Sequence, residues 1–291
     1  MPGVDLGKLP VAVMDQHRAE SSQHNVGVVG LALLGQYVVE MDFDESQITL
    51  YDPASFVPPD GWEEVPLVFE KTLPVLETSL SVDGKTEIPV RLIVDTGGKA
   101  ALALAIDSAK GLAPPARAVD FLAGTGFRGD VYAPHGRVAK IQVGSEELDD
   151  VVGGFWRGAQ APFLAGANAN GLLSLGALDH FNLIFDFPHR RMFLKPNGFF
   201  SEPFELNMAG MQLEETPSGE TVVYYVAENS EAARQGLRKG DRVLSVDGRD
   251  VGAYDYRELK QVFENAGSTV SLRIERDGTA KTVSLSLRRI L

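Results

Sequence analysis

At residues 92–98 the sequence reads Leu92-Ile93-Val94-Asp95-Thr96-Gly97-Gly98, and three apolar residues run directly into Asp-Thr-Gly. The apolar run favours a buried strand, and the glycines that follow favour a turn where it ends. A carboxylate at the tip of such a strand, next to a glycine that permits close approach, is well placed to act as a general acid or base in a cleft. Asp95 is therefore the candidate catalytic residue.

The rest of the chain predicts a mainly β protein. Its 30 glycines and 16 prolines are scattered over 291 residues, which favours many short strands over long helices. Strands are expected in residues 65–80, 88–94, 137–143 and 182–187, and helices in residues 230–235 and 255–265. The first of these helices has Ser230 as its N-cap and Gly236 after its end, and the second is amphipathic.

Composition excludes several kinds of function. A net charge of −13 argues against nucleic-acid partners, because no broad face could neutralise phosphates. The absence of cysteine excludes disulfides, a thiolate nucleophile and a zinc-thiolate site, and the five histidines lack metal-ligand spacing. We therefore expect no metal and no cofactor. The apolar runs are shorter than the ~20 residues of a membrane-spanning helix, so no span is expected.

An internal repeat relates the two ends of the first 200 residues. A shift of 144 positions places residues 27–52 over residues 171–196 without a gap. Six positions are then identical, including Gly27 with Gly171 and Asp42 with Asp186, and most of the others exchange one apolar residue for another. Each copy predicts a glycine turn, a short helix and a hairpin. In the second copy the pair Arg190-Arg191 falls in the turn of the hairpin, where we expect both side chains to be solvated.

The order of these features resembles the retropepsin-like aspartic proteases: an apolar strand into Asp-Thr-Gly, a glycine-dense flap, and a Gly-apolar-apolar turn into a helix. The resemblance implies a β-barrel lobe over residues 58–197, whose catalytic motif is Asp95, Thr96 and Gly97 and whose flap over an extended peptide contains Gly124, Thr125, Gly126 and Phe127. Two departures from the family pattern lower the catalytic efficiency that we expect of the lobe by itself. Gly98 and Lys99 follow the motif where a small residue such as alanine is usual, and Ser174 stands in a glycine position of the turn.

Hydrolysis by this route needs two aspartates that share one proton, and the chain contains a single Asp-Thr-Gly. In the repeat, the counterpart of Asp95 would fall upstream of Met1, so residues 1–57 resemble the C-terminal fragment of a first lobe. Either a longer two-lobed protein has lost its first lobe, or a homodimer supplies the second aspartate. We favour the first, because the fragment would otherwise expose an apolar face. The compartment stays open, with a periplasmic or secreted location expected if a leader precedes the chain.

The last part of the chain carries a second set of motifs. After a linker at residues 198–203, residues 230–248 give the order Ser-x-Ala-x-x-x-Gly-Leu-x-x-Gly-Asp-x-Val-Leu-x-Val-x-Gly, which resembles a PDZ domain spanning residues 204–291. The resemblance implies that an extended peptide adds to a sheet edge and that a glycine loop captures its terminal carboxylate. The residues implied are Ala209, Gly210 and Met211 in the loop, with Met211, Leu213, Leu259 and Val262 in the apolar pocket.

Two functions are compatible with this organisation. In one, the chain is half of an aspartic endopeptidase, and its PDZ domain binds protein or peptide substrates by their C-termini. In the other, the protease-like lobe is a catalytically inactive scaffold, and peptide binding by the PDZ domain is the function. An Asp-Thr-Gly or Asp-Ser-Gly in a preceding lobe would favour the first.

Overall fold

The computed structural model describes residues 29–126, 129–157 and 162–291, which divide into two compact units. The first unit contains residues 29–118 and 123–204, and the second contains residues 119–122 and 205–291. The mainly β fold class is confirmed, since strands greatly outnumber helices along the described chain. None of the described helices is long and apolar enough to cross a membrane.

The described residues of the first unit form thirteen strands and three short α-helices, with one 3-10 turn at Phe187–His189. Strand β8 also runs through residues 119–122. The strands are β1 (Val38–Asp42), β2 (Gln47–Tyr51), β3 (Glu63–Pro66), β4 (Val68–Glu70), β5 (Leu73–Ser81), β6 (Ile88–Asp95), β7 (Leu102–Ala105), β8 (Ala118–Gly126), β9 (Gly129–Val143), β10 (Glu146–Trp156), β11 (Gly171–Ser174), β12 (Phe181–Asp186) and β13 (Arg191–Pro196). The helices are α1 (Leu31–Leu34), α2 (Pro162–Gly166) and α3 (Leu175–Leu178).

A closed ring of strands forms the barrel of this unit. The larger sheet has the order β4-β5-β6-β11-β7-β10-β9-β8, and β5 pairs in addition with β9. The strands β5, β6, β11, β7, β10 and β9 therefore close on themselves, which leaves none of these six strands with a free edge. Leu92, Leu102, Leu104 and Phe155 contribute fully buried side chains to its core. Because the ring fixes β6 and β11 side by side, it also fixes the position of Asp95.

The smaller sheet of the first unit has the order β2-β1-β12-β13-β3 and brings the two repeated hairpins together. Asp42 pairs with Gln47 in the first hairpin, and Asp186 pairs with Arg191 in the second, 144 positions later in each case. Between the hairpins, β1 runs antiparallel to β12 with Glu40 opposite Ile184, its own counterpart in the repeat. The register of this sheet is thus symmetric about a local two-fold axis through that pair of residues.

The second unit contains six strands and two helices. The strands are β14 (Met211–Glu215), β15 (Thr221–Val226), β16 (Arg242–Val246), β17 (Arg249–Asp250), β18 (Thr269–Arg276) and β19 (Thr279–Ser286), and the helices are α4 (Glu231–Arg234) and α5 (Tyr256–Glu264). The sheet order is β14-β15-β16-β18-β19, with β17 on β16, so β14 is an edge strand among the described residues.

Both helices predicted in this region are confirmed. The Ser230 side chain accepts a hydrogen bond from the Ala233 N–H, and Gly236 follows α4 with a positive φ of 75°. Helix α5 begins with a capping box, in which the Asp255 side chain accepts the Glu258 N–H and the Glu258 side chain accepts the Asp255 N–H. These caps satisfy backbone donors that the first turn of a helix leaves unpaired, which is why the sequence marks these helix starts clearly.

Candidate functional site: the Asp-Thr-Gly loop and the edge of the second unit's sheet

The first candidate site lies where two parallel strands of the barrel end together. Strand β6 carries Leu92, Ile93 and Val94 into the core and ends at Asp95. Strand β11 runs parallel to it, and Ser174 lies opposite Asp95 in the register. Ser174 is buried at 1 % exposure, whereas Asp95 and Thr96 are half-buried. The arrangement places the Asp95 carboxylate at the rim of the barrel beside a buried hydroxyl-bearing residue.

Close packing holds the Asp95 carboxylate in place. Its Oδ1 atom accepts a hydrogen bond from the Gly97 N–H at 2.9 Å. A Cβ atom added to Gly98 would lie 3.0 Å from both Asp95 Oδ2 and Ser174 Oγ, so the backbone of residue 98 lies directly against both side chains. The second glycine after Asp-Thr, which departs from the usual pattern, avoids the tight contact that any larger residue would make with these two side chains.

The loop after Asp95 is bonded to the start of helix α3. The Leu175 N–H donates to the Gly98 carbonyl at 2.9 Å, and the Gly176 N–H donates to the Ala100 carbonyl at 3.1 Å. The Ser174 N–H donates to the Ala101 carbonyl at 3.0 Å. Three backbone hydrogen bonds in succession make the loop and the helix start one rigid piece, which is the kind of support that a catalytic carboxylate needs.

Alanine in place of Gly176 is expected to displace this loop. The added Cβ would lie 2.7 Å from the Lys99 carbonyl oxygen and 2.9 Å from the Ala101 nitrogen, and backbone atoms cannot rotate away. We expect a loss of about 1–3 kcal/mol in the free energy of unfolding. Urea titration followed by tryptophan fluorescence measures it, because Trp62 and Trp156 both belong to the first unit.

Gly166→Ala is the matched control, since Gly166 also lies in a short helix and an added Cβ would meet only the end of the Lys71 side chain, at 4.0 Å. We expect it to be neutral or stabilising by up to about 1 kcal/mol, because alanine is the better helix former. Equal losses in the two variants would contradict the proposed rigid contact between the loop and α3.

The flap candidate lies on the hairpin of β8 and β9. Gly124, Thr125 and Gly126 form the end of β8, and Phe127 lies outside the described residues. Strand β9 reaches the Asp95-bearing β6 through β5 in one direction and through β10, β7 and β11 in the other. Gly124, Thr125 and Gly126 thus belong to the same sheet as Asp95 but lie on a strand outside the closed ring.

The second candidate site is the edge strand β14 of the second unit with the loop that precedes it. Gly210 has a positive φ of 70°, and its carbonyl accepts the Ala227 N–H at 2.8 Å. The Ala209 N–H donates to Asn207 Oδ1 at 3.0 Å, and the Gly210 N–H donates to the Asn207 carbonyl at 2.8 Å. Asn207, which was not predicted as a site residue, therefore accepts hydrogen bonds from two N–H groups of the loop.

Helix α5 and β14 provide the apolar part of this site. Leu213, Leu259 and Val262 are partly buried and pack against the core of the second unit. Met211 is fully buried in that core, so its side chain supports the loop from within and does not line an open pocket. An edge strand with unpaired outer backbone groups and flanking apolar side chains can accept an added strand.

A buried ion pair stiffens the turn that leads into β16. Asp241 is 1 % exposed, and its Oδ2 atom lies 2.6 Å from Arg276 Nη2 and 2.9 Å from the Arg238 N–H. Burial by itself would raise the pKa of Asp241, but the hydrogen bonds from Arg276 and Arg238 outweigh it and hold the pKa below its ordinary value. This assigns the turn a structural role.

Comparison with known proteins identifies one part of the chain. A family model described as a PDZ domain matches residues 208–287. Synaptojanin-2-binding protein of Rattus norvegicus is 35 % identical over 72 residues, which are 24 % of this chain and 50 % of that protein. The regulator of sigma-E protease RseP of Salmonella typhimurium is 36 % identical over 70 residues, 24 % of this chain and 15 % of that one.

The chain thus spans half or less of the length of these relatives. Among solved structures, a retropepsin-like aspartic protease from Rickettsia conorii is similar over 47 % of this chain and 96 % of its own, with 14 % identity and a TM-score of 0.32. That likeness is too weak to carry an argument about function. The matched segment is a different matter: residues 208–287 are a PDZ domain, a module that binds peptides.

Proposed function

We propose that the chain is half of an aspartic endopeptidase and that its PDZ domain binds substrates as extended peptides. Asp95 is one of two carboxylates that activate a water molecule, and the second aspartate comes from another lobe or chain. The observation that carries the proposal is the position of Asp95 at the end of β6, where its Oδ1 atom accepts the Gly97 N–H and the buried Ser174 lies opposite it in the register.

The chemistry follows from placing two such carboxylates on one water. At short separation they share one proton, so that one takes a proton from the water while the other protonates the oxygen of the scissile carbonyl. Asp95 alone cannot perform both roles in one step.

The test is hydrolysis of a peptide library by the wild type and Asp95→Asn, at acidic and neutral pH. We expect Asp95→Asn to lose about 10²–10⁴-fold in rate, because the amide cannot exchange the proton that the water must release. Asp60→Asn, an exposed carboxylate in a loop, is the control and should leave the rate unchanged. The assay is run on the chain itself and on a two-lobed chain, in which a second copy of residues 58–170 is joined directly ahead of Gly27. Hydrolysis that is the same in wild type and Asp95→Asn would contradict the proposal.

A second candidate function is peptide binding alone, with the first unit as a scaffold. It is favoured by the single Asp-Thr-Gly in the chain. In that case peptides bind to the second unit, and neither the chain nor the two-lobed chain cleaves them.

A further inference from the structure

Ser174 occupies the N-cap position of helix α3 but does not cap the helix. A serine in this position ordinarily accepts a backbone N–H from the first turn, as Ser230 does at the start of α4. The side chain of Ser174 makes no such bond. Its backbone N–H donates to the Ala101 carbonyl, whereas its Oγ atom bonds to none of the residues that the structure describes. The hydroxyl is therefore available for another role.

The turn into the helix does not require a hydroxyl. In the internal repeat Gly30 is the counterpart of Ser174, and it begins helix α1 in the same way. The backbone angles φ and ψ are −114° and −168° at Gly30, and −116° and −178° at Ser174. Because glycine forms the same extended N-cap without any side chain, neither the backbone conformation nor capping explains why residue 174 is a serine.

The surroundings of Ser174 show what its hydroxyl faces. Ser174 is 1 % exposed and lies opposite Asp95 in the register of β11 and β6. Ser174 Oγ and Asp95 Oδ2 both lie 3.0 Å from one point, the position that a Cβ atom would take on Gly98. The two oxygens can therefore be no farther apart than those two distances together, which is within reach of a direct hydrogen bond or of one bridging water. The other oxygen of Asp95, Oδ1, accepts the Gly97 N–H.

We infer that Ser174 is a positioning residue for Asp95, and that its hydroxyl donates a hydrogen bond to Oδ2, directly or through one water molecule. A donor to a carboxylate stabilises the ionised form. With Gly97 on Oδ1 and Ser174 on Oδ2, both oxygens of Asp95 are held in that form, so Asp95 is the member of the pair that takes the proton from the attacking water. This last step rests on the proposed function, whereas the contact with Oδ2 rests on the geometry alone.

Few charged side chains share this environment with Asp95. Strand β11 and helix α3 contain none, and neither do residues 73–75 at the start of β5, which lie next to the end of β6. Lys99 is the one charged residue that follows Asp95 in the loop at residues 96–101, and it is exposed. In a two-lobed chain the second aspartate is a further titratable group. The chain itself is therefore the simpler system in which to measure the effect of Ser174.

The pH titration of the Gly97 amide, followed by NMR, tests the inference. The Gly97 N–H donates to Asp95, so its chemical shift follows the protonation of that carboxyl. We expect Ser174→Ala to move the midpoint of this titration to higher pH by about 0.5–1 unit, because one hydrogen bond to the ionised form is lost. Ser230→Ala is the matched control and should leave the midpoint unchanged, since Ser230 caps a helix of the second unit. An unchanged midpoint in Ser174→Ala overturns the inference.

The pH dependence of stability separates this role from simple packing. Loss of a donor to an ionised carboxylate destabilises the fold only where Asp95 is ionised. We expect Ser174→Ala to lower the melting temperature of the first unit by about 1–5 °C at pH 7, and by less as the pH falls toward 3. Ser230→Ala should lower the melting temperature of the second unit equally at both pH values, because its partner is a backbone N–H. A loss in Ser174→Ala that does not depend on pH indicates packing and overturns the inference.

Catalysis is measured separately, on the two-lobed chain. We expect Ser174→Ala to move the acidic limb of the pH–rate profile to higher pH, in the same direction as the Gly97 titration. Cleavage that does not depend on Asp95 overturns the proposed function and leaves the measurements on the chain itself to decide the contact with Ser174. Cleavage that depends on Asp95 but keeps the same acidic limb in Ser174→Ala overturns the inference alone.

Discussion

Alanine in place of Gly210 is expected to unfold the PDZ domain or to lower its free energy of unfolding by about 2–5 kcal/mol. Two independent costs add. Gly210 has a φ of 70°, where an L-residue loses about 1–2 kcal/mol. The added Cβ would also lie 2.3 Å from Cβ of Ser230, and Ser230 cannot retreat because it caps helix α4. Amide exchange of β14–β19 measures the loss, since neither tryptophan lies in this unit.

Gly248→Ala separates the two costs. Gly248 has a similar φ of 80°, but a Cβ atom added there would meet no described atom within 4 Å. We expect it to cost only the backbone term of about 1–2 kcal/mol. If Gly210→Ala loses no more free energy of unfolding than Gly248→Ala, then Ser230 does move. The loop would in that case be more easily deformed than its hydrogen bonds indicate.

The predictable parts of this protein are those that local sequence determines. The caps at Ser230 and Asp255 satisfy helix donors within a few residues, so the two helices were visible in the sequence. The turn at Asp83-Gly84 between β5 and β6 is of the same kind, because the Asp83 carboxylate accepts N–H groups from Lys85 and Thr86. The Lys85 and Thr86 hydrogen bonds also lower the pKa of Asp83 to about 2.

The unpredictable parts depend on residues that are distant in sequence. Ser174 lies opposite Asp95 only because β11 pairs in parallel with β6, 79 positions away. Its one sequence signal was a serine in the glycine position of a turn. Asn207 is a different case, because its bonds to Ala209 and Gly210 are local; asparagine is common in turns, so the residue type alone does not single this one out.

The interpretation of Arg190-Arg191 as two solvated residues was wrong for the second arginine. Arg190 is exposed, with φ at 58° in the turn. Arg191 begins β13, and its Nε atom lies 2.9 Å from Oδ2 of the fully buried Asp186. The hydrogen bond to Asp186 raises the pKa of Arg191 above its ordinary value. A charge pattern cannot distinguish two adjacent arginines, whereas the fold leaves Arg190 in the turn and places Arg191 at the start of β13, beside Asp186.

Arg191→Met is therefore expected to destabilise the first unit by about 3–5 kcal/mol, because it leaves a buried carboxylate without its guanidinium partner. The remaining partner of Asp186 is His189, whose Nδ1 atom lies 2.7 Å from Oδ1. The loss is measured by urea unfolding with tryptophan fluorescence. Arg190→Met is the matched control and should change the stability by less than about 0.5 kcal/mol, since its side chain is exposed.

The double variant Asp186→Leu with Arg191→Met decides whether the cost comes from the buried charge. The double variant replaces both charged residues by apolar ones, so no buried charge is left without a partner. It should therefore be more stable than Arg191→Met alone, and the losses in free energy of unfolding from the two single substitutions should be strongly non-additive. Additive losses would mean that each side chain acts through packing, as in the contact of the Arg191 guanidinium with the Phe193 ring at 5.0 Å. Since β12 pairs with β1 and β13 pairs with β3, the same ion pair supports the middle of the smaller sheet.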